Sequence, residues 1–174
     1  MVNSIGKHVF QGCDKLRAVT FEPSPSAATL TIDFQGEEND KKGPFYKCPL
    51  DYVYMDRDVK LAKNAILGRY ESLFGDKPNL QQVTLGSQVK RLHAFEFAGS
   101  GLTTITIPGT LMSIGDDAFL DCDDLATVNI EAGTAPLTIA YQYVPIILGL
   151  GDLSMSERGP FYDSPLASIT LMRE

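Results

Sequence analysis

Between Leu80 and Phe119 the apolar residues of the chain fall in one pattern twice over. Leu80, Val83, Leu85, Val89, Leu92 and Phe97 are followed by Leu102, Ile105, Ile107, Leu111, Ile114 and Phe119, with gaps of three, two, four, three and five residues in both copies. Within each copy a short stretch alternates polar and apolar, Gln82-Val83-Thr84-Leu85 and then Thr104-Ile105-Thr106-Ile107. That alternation is the signature of a strand with one face in the core. A unit of 22 or 23 residues has too little apolar surface to fold alone and buries its edge only when a neighbour stacks on it. The pattern therefore predicts a mostly β solenoid with one parallel sheet, about six coils of 22–23 residues, short turns and two long loop insertions.

Followed from the start, Val2, Ile5 and Phe10 repeat the spacing of Leu111, Ile114 and Phe119, and Leu16, Val19 and Phe21 supply the first strand signal. A first insertion is expected at about 22–42, with an extra strand at Leu30-Thr31-Ile32-Asp33-Phe34 and a polar loop from Gly36 to Lys42. Leu50, Val53 and Met55 mark the next strand, and Val59 and Ala62 continue the coil. After Leu125, Val128 and Ile130 a second insertion is expected at about 131–158. It echoes the first: Ala135-Pro136-Leu137-Thr138-Ile139 matches Ala28-Thr29-Leu30-Thr31-Ile32, and Gly159-Pro160-Phe161-Tyr162 matches Gly43-Pro44-Phe45-Tyr46. Leu166, Ile169 and Leu171 begin a last coil. Variable insertions at loops leave the stacking of a repeat array unchanged. The whole of 1–174 reads as a single repeat domain, a fragment or module of a longer array, or else an oligomer stacking through its ends, since neither end shows a polar cap.

Composition narrows the function. A net charge of −7 lacks the basic stripe that nucleic acid requires. No apolar run reaches the length of a membrane span, and Met1-Val2-Asn3-Ser4 has no signal-peptide character.

Two segments, Ile114-Gly115-Asp116-Asp117-Ala118-Phe119-Leu120-Asp121-Cys122-Asp123-Asp124-Leu125 and Ile5-Gly6-Lys7-His8-Val9-Phe10-Gln11-Gly12-Cys13-Asp14-Lys15-Leu16, carry a resemblance. They resemble the BspA-type leucine-rich repeat, whose units read roughly Ile-Gly-x-x-Ala-Phe-x-x-Cys-x-x-Leu-x-x-Ile-x-Ile-Pro. One turn departs from that pattern, with His93 in the place of Gly and Glu96 in the place of Ala. The resemblance implies a right-handed parallel-strand solenoid and a secreted or cell-surface bacterial protein with an adhesion role, binding a host protein or glycan without catalysis.

Leucine-rich repeats commonly bind through the outward residues of the sheet, which here run from Ala18 and Thr20 to Ser168 and Thr170 and centre on Tyr52, Tyr54, Gln82, Thr84, Thr104, Thr106, Thr127 and Asn129. Thr suits strands on propensity alone. Tyr52 and Tyr54 stand out because an aromatic face with a polar tip suits both protein hot spots and sugar stacking, the alternative being packing beneath a loop. The apolar part of the second insertion, including Tyr143, Ile146, Ile147 and Leu148, either caps the molecule or forms an interface. Cys13, Cys48 and Cys122 each follow a Phe by three residues and so occupy one repeated position rather than a metal-spaced cluster. The acidic group Asp116, Asp117, Asp121, Asp123 and Asp124 lacks the spacing of a calcium loop. No residue is assigned to catalysis, metal or cofactor. A structural spacer within a larger surface protein is the alternative to a binding module, with a hydrolase behind both.

Overall fold

The computed structural model describes residues 2–6, 8–32, 43–61, 73–139, 142–147 and 153–172. Its strands are labelled β1 to β14 in chain order. Six make a face: β2 (Ala18–Phe21), β4 (Tyr52–Met55), β6 (Gln82–Leu85), β8 (Thr104–Ile107), β10 (Thr127–Ile130) and β14 (Ser168–Leu171). Six shorter ones make a back: β1 (Ser4–Ile5), β3 (Leu30–Ile32), β5 (Val59–Leu61), β7 (Arg91–Leu92), β9 (Ser113–Ile114) and β11 (Thr138–Ile139). The remaining two, β12 (Gln142–Ile147) and β13 (Leu153–Arg158), form an antiparallel hairpin. Every other pairing is parallel, and no helix occurs among the described residues.

Alternation decides which side chains enter the core. In β8 Ile105 and Ile107 are buried while Thr104 and Thr106 are exposed, and β2 repeats this with Val19 and Phe21 inward. Because neighbouring parallel strands lie only ~4.8 Å apart, each residue lands on its counterpart one repeat away, as Val53 does between Val19 and Val83.

The expected single sheet is divided. The face comprises two three-stranded sheets, β2-β4-β6 and β8-β10-β14, and the back two more, β1-β3-β5 and β7-β9-β11. The divisions are staggered, so β6 pairs with the preceding repeat while β7, in the same repeat, pairs with the following one.

Leu30–Ile32 is not an extra strand within a loop. As β3 it pairs with β1 and β5, and Leu30 and Ile32 are buried in the common core. It takes the same place in its repeat as Val59–Leu61, with Ile32 opposite Leu61. Ala62, read from spacing as continuing the coil, lies outside the described residues, and Leu61 pairs with Ile32. Thr138–Ile139 is likewise the back strand of its own repeat, paired with β9. The echo between the two insertions therefore reports one structural position used twice.

A third side is made by phenylalanine. Phe10, Phe45, Phe74, Phe97, Phe119 and Phe161 form a continuous stack with successive ring centroids 5.2, 5.5, 5.7, 5.6 and 5.2 Å apart. Those spacings fall within the ~4.5–7 Å range favourable for aromatic pairs. Backbone bonds run beside the stack: Phe97 N–H donates to the Ala118 carbonyl at 2.8 Å, Gly99 N–H to Leu120 at 2.7 Å and Asp76 N–H to Ala98 at 2.7 Å. To aim that N–H at the next repeat, the residue two after each Phe adopts positive φ. These residues are Gly12, Lys47, Asp76, Gly99, Asp121 and Asp163, with φ between 52° and 74°. Gly meets this demand without steric cost, and Asp more readily than most.

The third residue after Phe45, Phe119 and Phe161 shares a task, whereas Lys77, in that place after Phe74, donates to the Gly75 carbonyl and Ser100, after Phe97, pairs with Cys122 Sγ. Cys48 Sγ donates to the Phe10 carbonyl at 2.8 Å, Cys122 Sγ to Phe97 at 3.3 Å and Ser164 Oγ to Phe119 at 2.9 Å. A small donor is what this row needs, which explains why Cys and Ser interchange there. All three cysteines are free, with Cys48 and Cys122 buried and Cys13 exposed.

Two stability tests follow. Phe97→Ala, at the centre of the stack, should cost about 3–5 kcal/mol, and Phe161→Ala, at its partly exposed end, markedly less, as read from urea denaturation midpoints. Gly99→Ala should cost about 1–2 kcal/mol because Ala resists positive φ. Gly159→Ala, where an added Cβ meets nothing within 4 Å, should stay within about 0.5 kcal/mol.

Candidate functional site

The sheets bring the predicted face residues together in two groups. Tyr52 lies opposite Gln82 and Tyr54 opposite Thr84 in the first sheet. In the second, Thr104 lies opposite Thr127, and Thr106 opposite Asn129. Their inward neighbours Val53, Met55, Ile105, Ile107, Val128 and Ile130 are buried, so all eight point away from the core. Gln82, Thr84, Thr104 and Thr106 are exposed, and both tyrosines are partly exposed.

The two tyrosines differ in their surroundings. Tyr54 Oη donates to Asp56 Oδ2 at 3.3 Å, while Asp56 Oδ1 accepts from the backbone N–H of Gln88 at 2.7 Å. The carboxylate reaches Gln88 because Gly86 lies beneath it, where any Cβ would overlap the Asp56 side chain. Asp56 thus orients the Tyr54 ring and ties it to the next repeat. Desolvation raises the Tyr54 phenol above its ordinary range, helped by the charge of Asp56 and its hydrogen bond, then by Glu22 and Tyr52. At the other end of the strands Arg17 donates to the carbonyls of Asp14 and Pro49. The face can therefore offer one fixed ring, one neighbouring ring at i−2, hydroxyl and amide groups, and carboxylates at one edge. Asp56 was not among the residues picked out from the sequence. The signal available was its place directly after the Tyr-Val-Tyr-Met strand, with Gly86 in the corresponding place one repeat later.

The remaining sequence candidates are placed as follows. Tyr143, Ile146 and Ile147 belong to β12, paired in register with Glu157, Ser154 and Leu153, and Leu148 lies outside the described residues. Asp117 and Asp121 sit at positive-φ turn positions. Among the described residues no three His, Cys, Asp or Glu side chains are grouped to hold a metal ion. His93 and Glu96 are joined, the Glu96 carboxylate accepting from the His93 backbone N–H, and Glu96 is wholly buried. No helix among the described residues is long and apolar enough to cross a membrane.

Parallel strands in a fixed register, a row of buried Leu, Ile and Val, and one stacked Phe per repeat define a protein of the leucine-rich-repeat class. The family model described as the BspA type leucine rich repeat region matches six copies over residues 1–32 and 67–143, more than half of the chain, and the chain belongs to that family. No curated protein and no solved structure matches it.

The Tyr54 environment is open to direct measurement. Because its proton is held more tightly in the folded state, the linked stability is present below the ordinary phenol range near 10.0 and is lost as pH rises through the folded value. In an ultraviolet titration, Tyr54→Phe should remove a component ionising above that range. Asp56→Asn should bring the same component down, and an unchanged curve in both variants would contradict the assignment.

Proposed function

We propose that the protein is a right-handed solenoid of about six coils that serves as a non-catalytic extracellular or cell-surface interaction module of adhesion type. It binds protein or glycan through the face around Tyr52 and Tyr54, with Gln82, Thr84, Thr104, Thr106, Thr127 and Asn129 extending the contact surface. The observation that carries this reading is the pair of partly exposed tyrosines on one strand, one ring fixed through Asp56 and both flanked by outward polar side chains. A ring already held in place loses little side-chain entropy on binding, and Tyr is the residue type that combines apolar contact area with a polar tip. The family is leucine-rich-repeat, which favours interaction over chemistry, although fold by itself does not fix function.

A second mode of contact is self-association. Val2 and Val9 at one end of the stack, and Ile169 and Leu171 at the other, expose more than half of their surface or close to it, at 65%, 55%, 50% and 64%. A cavity of about 480 Å³ bordered by Phe10, Phe21 and Leu30 opens at the first end and one of about 380 Å³ bordered by Leu137 and Leu171 at the second. These features support end-to-end stacking on a further repeat, whether in a longer array or in a homo-oligomer, and the segment of Tyr143, Ile146, Ile147 and Leu148 is proposed as an additional contact. The spacer reading is favoured by the second sheet, whose outward residues are nearly all Thr and Ser.

The deciding experiment is binding of the purified chain to immobilised matrix proteins and glycans, beside a Tyr52→Ala/Tyr54→Ala variant whose folding is unchanged by circular dichroism. Loss of binding by at least about tenfold in the variant is the expected result. Equal binding by both would move the site away from the face, and binding by neither would favour the spacer.

A further inference from the structure

Each repeat in the described chain can be tied to the next on three sides: the face ladder, the back ladder and the bonds beside the Phe stack. Between the repeat of β4 and β5 and that of β6 and β7, two of the three are intact. Tyr52 to Met55 pair with Gln82 to Leu85 on the face, and Phe74 N–H donates to the Glu96 carbonyl at 3.1 Å beside the stack. On the back, β5 and β7 belong to different sheets.

Side chains stand where that ladder would run. Asp56 Oδ1 accepts from Gln88 N–H at 2.7 Å, and Asp58 Oδ1 accepts from Lys90 N–H at 3.1 Å. Asp58 Oδ2 lies 3.5 Å from Arg91 Nε, and His93 Nε2 lies 3.0 Å from the Val59 carbonyl. The backbone N–H of His93 is held by Glu96 Oε2, while Glu96 Oε1 is buried with no hydrogen-bond partner.

The next repeat shows what this turn departs from. Gly115 occupies the place of His93 and Ala118 that of Glu96. A Cβ at Gly115 would lie 2.5 Å from Ala94 N, so the ordinary repeat sets backbone directly on backbone. At residue 93 a side chain fills that space, and it bridges to Val59 instead of allowing the close approach.

We infer that this seam is a proton-controlled joint: with Glu96 protonated it stays closed, and with Glu96 ionised β7 loosens from β5 while the β4–β6 ladder acts as the hinge. A buried carboxylate with one unpaired oxygen is costly when charged and far less so when neutral. His93 on its own turn and Asp58 on the back act on it directly, and the other titratable or charged groups on the elements packed against it are Arg91, bonded to Asp58, Asp76 and Lys77 on the preceding turn, and Asp116 and Asp117 on the following one. Burial is the largest influence on Glu96 and raises it above the ordinary 4.5; the His93 charge and backbone bond oppose this, and Asp58 adds to it. The sign follows from linkage. The proton-linked stability of the seam is complete below the ordinary Glu value and is lost as pH rises through the folded value. Because β6 carries Gln82 and Thr84, movement at this joint would tilt them against Tyr52 and Tyr54.

The test is amide hydrogen exchange of the full chain at several pH values from 5 to 8, corrected for intrinsic exchange. Protection of Gln88, Lys90 and His93 should fall with rising pH by up to about tenfold per unit within the Glu96 window. Gly115 and Thr138, whose N–H groups bond to Leu92 and Met112 in the regular back ladder, should show no such fall. Glu96→Gln should abolish the slope. Should that variant fold poorly, His93→Gly/Glu96→Ala, which installs the residue types found at 115 and 118, should abolish it as well. A slope retained in a folded variant, or a wild-type slope no larger at the seam than at Gly115 and Thr138, would overturn the inference.

Discussion

One translation governs this molecule. Neighbouring parallel strands stand ~4.8 Å apart, and every side chain that enters the core must meet its own counterpart at nearly that distance. Aromatic rings tolerate such a repeat unusually well, because flat groups can stack at it with small offsets. The Phe row does this with centroid separations between 5.2 and 5.7 Å and interplanar angles between 1° and 21°. Each stacked pair is worth roughly 0.5–1.5 kcal/mol beyond the area it buries. The same translation explains the positive φ two residues after each Phe and the small donors Cys48, Cys122 and Ser164 one residue further on. Both bring a hydrogen bond to the adjacent copy of the same turn.

Much of this was legible because the pattern is periodic. The outward positions followed from alternation alone, and Tyr52 and Tyr54 project from the face as their spacing required. What was misread followed from a change of spacing. From the last inward residue of the face strand to the next apolar core residue, the uninterrupted repeats allow four residues, Leu85 to Val89 and Ile107 to Leu111. The first repeat stretches this to nine, Phe21 to Leu30, and a later one to seven, Ile130 to Leu137. A strand thus displaced looks like part of a loop. A second change accompanies it: the back-strand pair is separated by two residues in Leu30–Ile32, Val59–Leu61 and Leu137–Ile139, but by three in Val89–Leu92 and Leu111–Ile114. Those three closely spaced pairs are the ones followed by long segments before the next Phe, so the change of spacing marks where the chain leaves the repeat.

The division of the sheets was not legible at all, because hydrophobic pattern specifies register and says little about how closely two strands approach. The nearest signal was the turn that breaks the family pattern. His93 and Glu96 are three residues apart, and their joint substitution for Gly and Ala reads from sequence as two unrelated departures. In the structure they form one unit, the carboxylate holding the backbone of the residue whose ring crosses to the preceding repeat. Asp56 escaped notice for a related reason: its role depends on Gly86, 30 residues away in sequence and adjacent in space.

A backbone ladder and a set of side-chain bridges are different kinds of joint, even where the number of hydrogen bonds is similar. Ladder bonds link groups that do not titrate and that the fold itself holds in place, so they give way only when the strands part. The bridges at Asp56, Asp58 and His93 involve ionisable groups, whose strength depends on charge and on access of water. A repeat array can tolerate such a junction because each repeat is held by its neighbours on more than one side, and here the face ladder and the Phe stack pass through uninterrupted. The junction that replaces its back ladder with side chains is also the one that supports Tyr54 through Asp56. The orientation of the candidate binding ring and one of the bridges across the seam therefore share the Asp56 carboxylate.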